Sequence, residues 1–236
     1  MGIQGNDSCK LLGVLGGMGP EATLSFFSKV ISKTPANKDQ DHIPMVIFNN
    51  TKIPDRTNSI LKGQDNVLPL LIDGIKFLID SGVDLIAIPC VSAHFYYQEL
   101  VKEATVPILS IIDETVSSIA INAPGIKKVG ILGTTLTIRK KLFVSAFEGL
   151  NIDTVVPCED TQEDSIMKAI YLVKAGDKKM AREMIENAIS ELISKGVQAI
   201  VAGCTELPLI VDSRAALVPV VDTLDCLAAA VVREII

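Results

Sequence analysis

Two cysteines in matched frames are the residues of this chain best suited to chemistry. Residues 82–94 read GVDLIAIPCVSAH and residues 196–208 read GVQAIVAGCTELP. Both segments open with Gly-Val, carry Ile at the same offset (Ile86 and Ile200), and reach a cysteine eight residues after the glycine, Cys90 and Cys204. A thiolate is a base or a nucleophile, and a helix amino terminus makes it available near neutral pH. A thiolate and a thiol on opposite faces of one substrate form a proton-transfer pair: the first removes a proton from carbon and the second returns one to the other face. Such an inversion needs two similar groups in pseudo-symmetric positions, and hydrogen-bond donors to stabilise the incipient carbanion. The hydroxyls of Ser92 and Thr205, beside the cysteines, suit that task, as do backbone amides of the two cysteine loops and of the GGMG turn at residues 16–19. A single cysteine at a strand end is most simply a small buried residue. A matched pair in a repeated frame points to function.

The elements that must position this pair follow from hydrophobic pattern. Each cysteine ends a short, β-branched apolar run bounded by Gly or Pro, the pattern of a strand buried on both faces of a parallel sheet. In open α/β sheets ligands bind beyond the carboxyl ends of strands. Strands are expected at 11–16, 44–49, 84–89 and 106–112, with helices from Pro20 to about Ser32, from Val67 to Asp80, and from the fourth strand to Asn122. Pro20 suits a first helical position and Glu21 the positive end of the dipole. The GGMGPEAT turn is not a dinucleotide fingerprint. Segment 50–57, NNTKIPDRT, reads as a polar loop, in which Arg56 would ordinarily be solvated.

After NAPG at 122–125, the best linker candidate, the pattern restarts. KKVGILG at 127–133 matches the opening strand, a strand follows at 152–157, and helices are expected at about 161–175 and 177–195. Gly16 to Cys90 spans 74 residues and Gly133 to Cys204 spans 71; Pro107 and Asp113 are echoed by Pro219 and Asp225. Four landmarks in one order indicate an internal duplication. The expected fold is α/β: two pseudo-symmetric Rossmann-like lobes, each a mainly parallel sheet flanked by helices, with the site in the cleft between them. The first lobe is expected to take residues 1–122 with 214–236, the second 123–213.

Composition narrows the function. The chain has 236 residues, 48% of them hydrophobic, but no run of about 18 apolar residues that would suit a membrane span. The net charge is −6 and no Lys/Arg cluster of the nucleic-acid kind occurs. MGIQGNDSCK has no apolar signal region and Asn6 breaks the myristoylation pattern, so a cytoplasmic protein is expected. Five cysteines (9, 90, 158, 204 and 226) and two histidines show no zinc-type spacing, and the odd count favours free thiols. Cys9, Cys158 and Cys226 lack matched partners. His94 shares a helix face with Cys90 and is expected to pack or cap; His42 is expected at the surface. No lysine motif for pyridoxal phosphate is evident, so the expected reaction uses no cofactor and no metal.

With these residues placed, the chain resembles the aspartate/glutamate racemase family, particularly its aspartate racemase branch. The carriers are LGGMGPEAT (15–23), IPDRT (53–57), PCVSAH (89–94), GTTLTI (133–138) and GCTELPL (203–209), which span nearly the whole chain. The resemblance implies a cofactor-independent racemase of an acidic amino acid, often a homodimer, with Cys90 and Cys204 as the two acid/base thiols. It implies that Arg56 and Lys174 bind the side-chain carboxylate, that Met18, Thr134 and Thr205 line the pocket, and that Glu206 supports them. The family pattern after the first cysteine is usually Asn-Thr; here it is Val91-Ser92, which keeps the hydroxyl and loses an amide. The rival readings are an isomerase or decarboxylase of a small dicarboxylate that uses one cysteine, and a non-catalytic amino-acid-binding relic.

Overall fold

The computed structural model describes residues 10–64, 66–211 and 217–236; Cys9 lies outside them. Two four-stranded sheets are built in the same way. The first comprises β1 (Leu12–Gly16), β2 (Met45–Asn49), β3 (Leu85–Ala87) and β4 (Ile108–Leu109), ordered β2-β1-β3-β4. The second comprises β5 (Lys128–Gly133), β6 (Asp153–Val155), β7 (Ala199–Gly203) and β8 (Val220–Asp222), ordered β6-β5-β7-β8. Every pairing is parallel, so each strand is fed by a crossover, and the apolar runs follow from burial on both faces. In each sheet the order reverses beside the first strand, between β1 and β3 and between β5 and β7. The crevice outside their carboxyl ends is where such sheets take ligands.

The helices of the first lobe are α1 (Pro20–Lys33), α2 (Arg56–Leu61), α3 (Leu68–Asp80), α4 (Tyr97–Glu103) and α5 (Ile111–Asn122). In α3 the buried positions Leu71, Gly74, Ile75 and Leu78 recur at helical spacing, and each large one contributes about 1.5–3 kcal/mol by leaving water. The second part holds α6 (Thr135–Arg139), α7 (Val144–Glu148), α8 (Glu159–Thr161), a π-helical segment Gln162–Met167, α9 (Lys168–Lys174) and α10 (Lys178–Ser194). The last helix, α11 (Thr223–Ile235), packs on α1 and α5. One apolar cluster runs through both halves and includes Val14, Phe26, Ile111, Ile131, Phe143, Val201, Leu224 and Leu227. Separate clusters fill the outer faces around Leu71 and Ile86 and around Ile185 and Ile200. Among the described residues no helix is long and apolar enough to cross a membrane.

Several expectations need correction. The strand expected at 106–112 is only Ile108–Leu109, because Ser110 caps a helix there: its hydroxyl accepts the Asp113 N–H at 3.1 Å, and α5 starts at Ile111. The segment expected as a loop turns helical at Arg56 for the same kind of reason, with the Asp55 carboxylate accepting the Asn58 N–H at 2.8 Å. The strand at 152–157 narrows to Asp153–Val155. His42 is half-buried, not at the surface, and its Nδ1 is enclosed.

Two local devices hold the site loops. Gly17 has φ +91, and a Cβ there would lie 2.4 Å from the Asn50 carbonyl carbon, so the GGMG turn presses directly on the end of β2. His94 is 5% exposed. Its Nδ1 lies 2.9 Å from the Cys90 carbonyl oxygen and its Nε2 accepts the Ile111 N–H at 3.1 Å. A carbonyl only accepts and an amide N–H only donates, so the ring is neutral with its proton on Nδ1. It pins the Cys90 loop to the start of α5.

Gly17→Ala is expected to cost more than about 1 kcal/mol of stability, because the backbone geometry and the Asn50 contact both exclude a methyl group; thermal unfolding measures it. Burial holds the His94 imidazole below its usual value, against the pull of its backbone partners. As pH falls, the unfolded chain therefore takes up this proton first, from about pH 6.5, and stability drops by up to about 1.4 kcal/mol per pH unit below that point. Urea unfolding is expected to show a shallower loss between pH 7 and pH 5 for His94→Gln than for the wild type. Equal slopes would remove His94 as the cause.

Candidate functional site

Loops from both lobes meet around one small chamber. The first lobe lines it with Met18, Asp55, Arg56, Thr57, Cys90, Val91 and Ser92, the second with Thr134, Lys174, Cys204, Thr205 and Glu206. All ten residues singled out from the sequence are therefore brought together. Cys90 follows β3 after three residues and Cys204 follows β7 directly, the equivalent ends that the repeat implies. Both are buried, as are Met18, Arg56, Val91, Ser92, Thr134, Thr205 and Glu206.

Arg56 is 7% exposed, contrary to the solvated loop position its sequence context suggests. Capping by Asp55 turns the chain inward there. Its Nη1 donates to the carbonyls of Pro54 at 2.9 Å and Ile53 at 3.3 Å, and its Nη2 donates to the Met18 carbonyl at 2.7 Å. These bonds tie the IPDRT segment to the GGMG turn. The Nε–H is enclosed and has no partner among the described residues. Lys174, at the end of α9, lies 3.6 Å from Asp55 Oδ2 and over the Tyr171 ring. Burial pulls its pKa down, but attraction to Glu206 first, to Cys204 once that thiol ionises, and to Asp55 outweighs burial and the opposing Arg56, so the ammonium is held above its usual value.

The polar floor is a chain of hydroxyls. Ser92 Oγ lies 3.0 Å from Thr134 Oγ1 across the lobes, and Thr134 Oγ1 lies 3.1 Å from Thr137 Oγ1. Thr134 caps α6, and its neighbour Gly133 is held through its carbonyl by Gln162 Nε2 at 3.0 Å from the π-helical segment, a kind of irregularity found often at functional sites. Val91 supplies an apolar wall and packs into the central core.

Cys90 leads into the 3₁₀ helix Ser92–Tyr96 and then α4. Cys204 is followed by a turn and the short 3₁₀ helix Leu207–Leu209. Its Sγ–H donates to Glu206 Oε2 at 3.1 Å, and Thr205 Oγ1 donates to the same oxygen at 3.3 Å. Burial first, and the Glu206 charge second, push the Cys204 thiol well above its ordinary value, against the Lys174 charge. Of the unmatched cysteines, Cys158 is exposed and Cys226 is buried in α11. Among the described residues no group of three or more His, Cys, Asp or Glu side chains is placed to hold a metal ion.

Contacts that bridge the lobes surround the mouth. Asn58 Nδ2 donates to Tyr171 Oη at 3.1 Å, Tyr171 Oη lies 3.4 Å from Asp55 Oδ1, and Lys178 pairs with Glu21. An outer cavity of about 280 Å³ shares Asp55, Arg56, Lys174 and Glu206 with the chamber and opens outward along Gly17, Gly19 and Glu21. Asp55, Thr57 and Tyr171 are not singled out by sequence. The only signals are that Asp55 has the helix-cap type beside Arg56 and that Tyr171 lies one turn before Lys174.

The chain is similar to proteins of known class. The family model for Asp/Glu/hydantoin racemases matches residues 15–231. A broad specificity amino-acid racemase of Bacillus subtilis is 30% identical over 222 residues, which cover 92% of this chain and 95% of that protein. The solved structure of an aspartate racemase from Picrophilus torridus is 36% identical with a TM-score of 0.85, covering 95% of this chain and 94% of that one. An aspartate racemase homologue from Pyrococcus horikoshii is 25% identical with a TM-score of 0.76, covering 95% and 98%. With a duplicated parallel sheet, a chamber between the lobes and a match over nearly its whole length, the chain belongs to the Asp/Glu/hydantoin racemase family.

Proposed function

We propose that this protein is a cofactor-independent amino-acid racemase that interconverts L- and D-aspartate by proton transfer between Cys90 and Cys204. The observation that carries this reading is the pair of buried thiols, one from each lobe, lining one chamber with two cations. The raised Cys204 pKa keeps its proton on sulfur. Cys90 is then the base in one direction: its thiolate takes the α-proton, and Cys204 delivers a proton to the opposite face of the carbanion. In the other direction the roles exchange. The Ser92 and Thr134 hydroxyls and the backbone of the cysteine loops receive the α-carboxylate, on which charge develops. Arg56 and Lys174 receive the side-chain carboxylate. Glutamate is the next candidate substrate.

The lobe division at 1–122 with 214–236 and 123–213 belongs to this reading, and the packing of α11 on α1 and α5 supports it. So does an assignment to the cytoplasm as a homodimer, carried over from the family resemblance.

A second reading, a wider set of amino acids, is favoured by one observation. Three donations by the Arg56 guanidinium go to backbone carbonyls, and Asp55 offsets Lys174, so the distal end of the chamber is less cationic than two basic residues suggest. The Bacillus subtilis relative is described as broad in specificity.

Cys90→Ser and Cys204→Ser are each expected to lower racemisation in both directions by at least about a hundredfold, read by chiral assay and by loss of the aspartate α-proton signal in deuterated water. Full activity in either variant would end the two-thiol scheme. Arg56→Leu is expected to raise KM for aspartate by at least about tenfold, the equivalent of one charge-assisted hydrogen bond. An unchanged KM, with activity across a panel of uncharged amino acids, would move the assignment to the broad-specificity reading.

A further inference from the structure

We propose that the Glu206 carboxylate anchors the substrate's α-ammonium group, which makes an amino group a condition of productive binding. This deepens the racemase reading and rests on it for the identity of the site.

Glu206 is 4% exposed and lines both the chamber and its mouth. One oxygen, Oε2, is occupied by the Cys204 thiol and the Thr205 hydroxyl. The other, Oε1, is enclosed and has no hydrogen-bond partner among the described residues. A buried acceptor on an anion calls for a donor, and a cationic one fits best. Space is kept for it: a Cβ at residue 19 would lie 3.0 Å from Oε1, and that residue is Gly19. The other carboxylate at the chamber is already engaged, since Asp55 accepts from the Asn58 amide, lies beside the Tyr171 hydroxyl and pairs with Lys174.

The second unpartnered atom at this chamber is the Nε–H of Arg56, a donor on a cation. One free acceptor on an anion and one free donor on a cation, both enclosed, are the complement of a zwitterion that carries an ammonium and a carboxylate. A dicarboxylate without an amino group satisfies Arg56 and leaves Glu206 Oε1 facing it without a donor. A site built around a hydrogen bond discriminates strongly against the analogue that lacks the group. The ammonium would also offset the Glu206 charge that, together with burial, holds the proton on Cys204, so the same contact would ready the thiol for its proton transfer.

The test compares L-aspartate with succinate, which keeps both carboxylates and lacks the amine. Ligand-induced thermal stabilisation over a concentration series reads binding without requiring turnover. The wild type is expected to bind aspartate at least tenfold more tightly than succinate, and Glu206→Gln to bring the two within threefold, chiefly by weakening aspartate. A purely structural role for Glu206 would weaken both ligands together. Succinate binding to the wild type as tightly as aspartate overturns the proposal even if the variant does not fold. So does a Glu206→Gln protein that keeps the wild-type preference, or a wild type stabilised by neither ligand. A wild type that shows the preference but does not racemise aspartate supports the Glu206 assignment and counts against the racemase reading alone.

Discussion

Four charged side chains meet at one chamber, Arg56 and Glu206 buried and Asp55 and Lys174 partly exposed at its edge, and their mutual compensation is the constraint on which the site depends. Arg56, Lys174, Asp55 and Glu206 all line the chamber between the lobes. Isolated charges are costly to remove from water, and such groups persist in an interior only when paired or well hydrogen-bonded. The arrangement meets that condition almost completely. Arg56 is held by three carbonyls, Asp55 by an amide, a hydroxyl and Lys174, and one Glu206 oxygen by a thiol and a hydroxyl. The two atoms left over, Arg56 Nε and Glu206 Oε1, are opposite in kind. A pocket whose remaining demands are one donor and one acceptor describes its ligand more narrowly than its volume does.

The fold supplies this space through duplication. Two sheets with the same strand order direct their switch points toward each other, and each places a cysteine beyond the strand next to its first. The environments of the two thiols nevertheless differ. Cys204 has a carboxylate two residues on that accepts a hydrogen bond from its thiol, whereas the backbone of Cys90 is gripped by a neutral histidine. The pseudo-symmetry therefore holds at the level of the backbone and lapses at the side chains.

Contacts across the mouth tie access to the same charges. Asp55 caps α2, pairs with Lys174 and lies beside Tyr171. One carboxylate thus starts the helix that carries Arg56 inward, steadies the second cation and joins the lobes. The Lys178–Glu21 pair makes a further bridge between α10 and α1. Exposed pairs of this kind contribute little to stability, which suits contacts at a site that must admit and release a ligand.

The sequence by itself determined the sheets, the repeat and the two cysteine positions. Parallel strands buried on both faces leave continuous apolar runs, and duplication leaves equal spacings; both are local or periodic signals. Helix starts at Pro20 and after Ser110 are also written in capping residues, although the apolar run VPILSII at 106–112 masks the Ser110 cap. The burial of Arg56, the partnership of Asp55 with Lys174 and the raised pKa of Cys204 were decided only in the tertiary structure. Whether a charge is solvated or enclosed depends on which residues distant in sequence close over it, and Asp55 and Lys174 meet from opposite lobes. Electrostatic environment is a property of the assembled chamber, so the residue types were legible in order while their protonation, orientation and unmet hydrogen bonds were not.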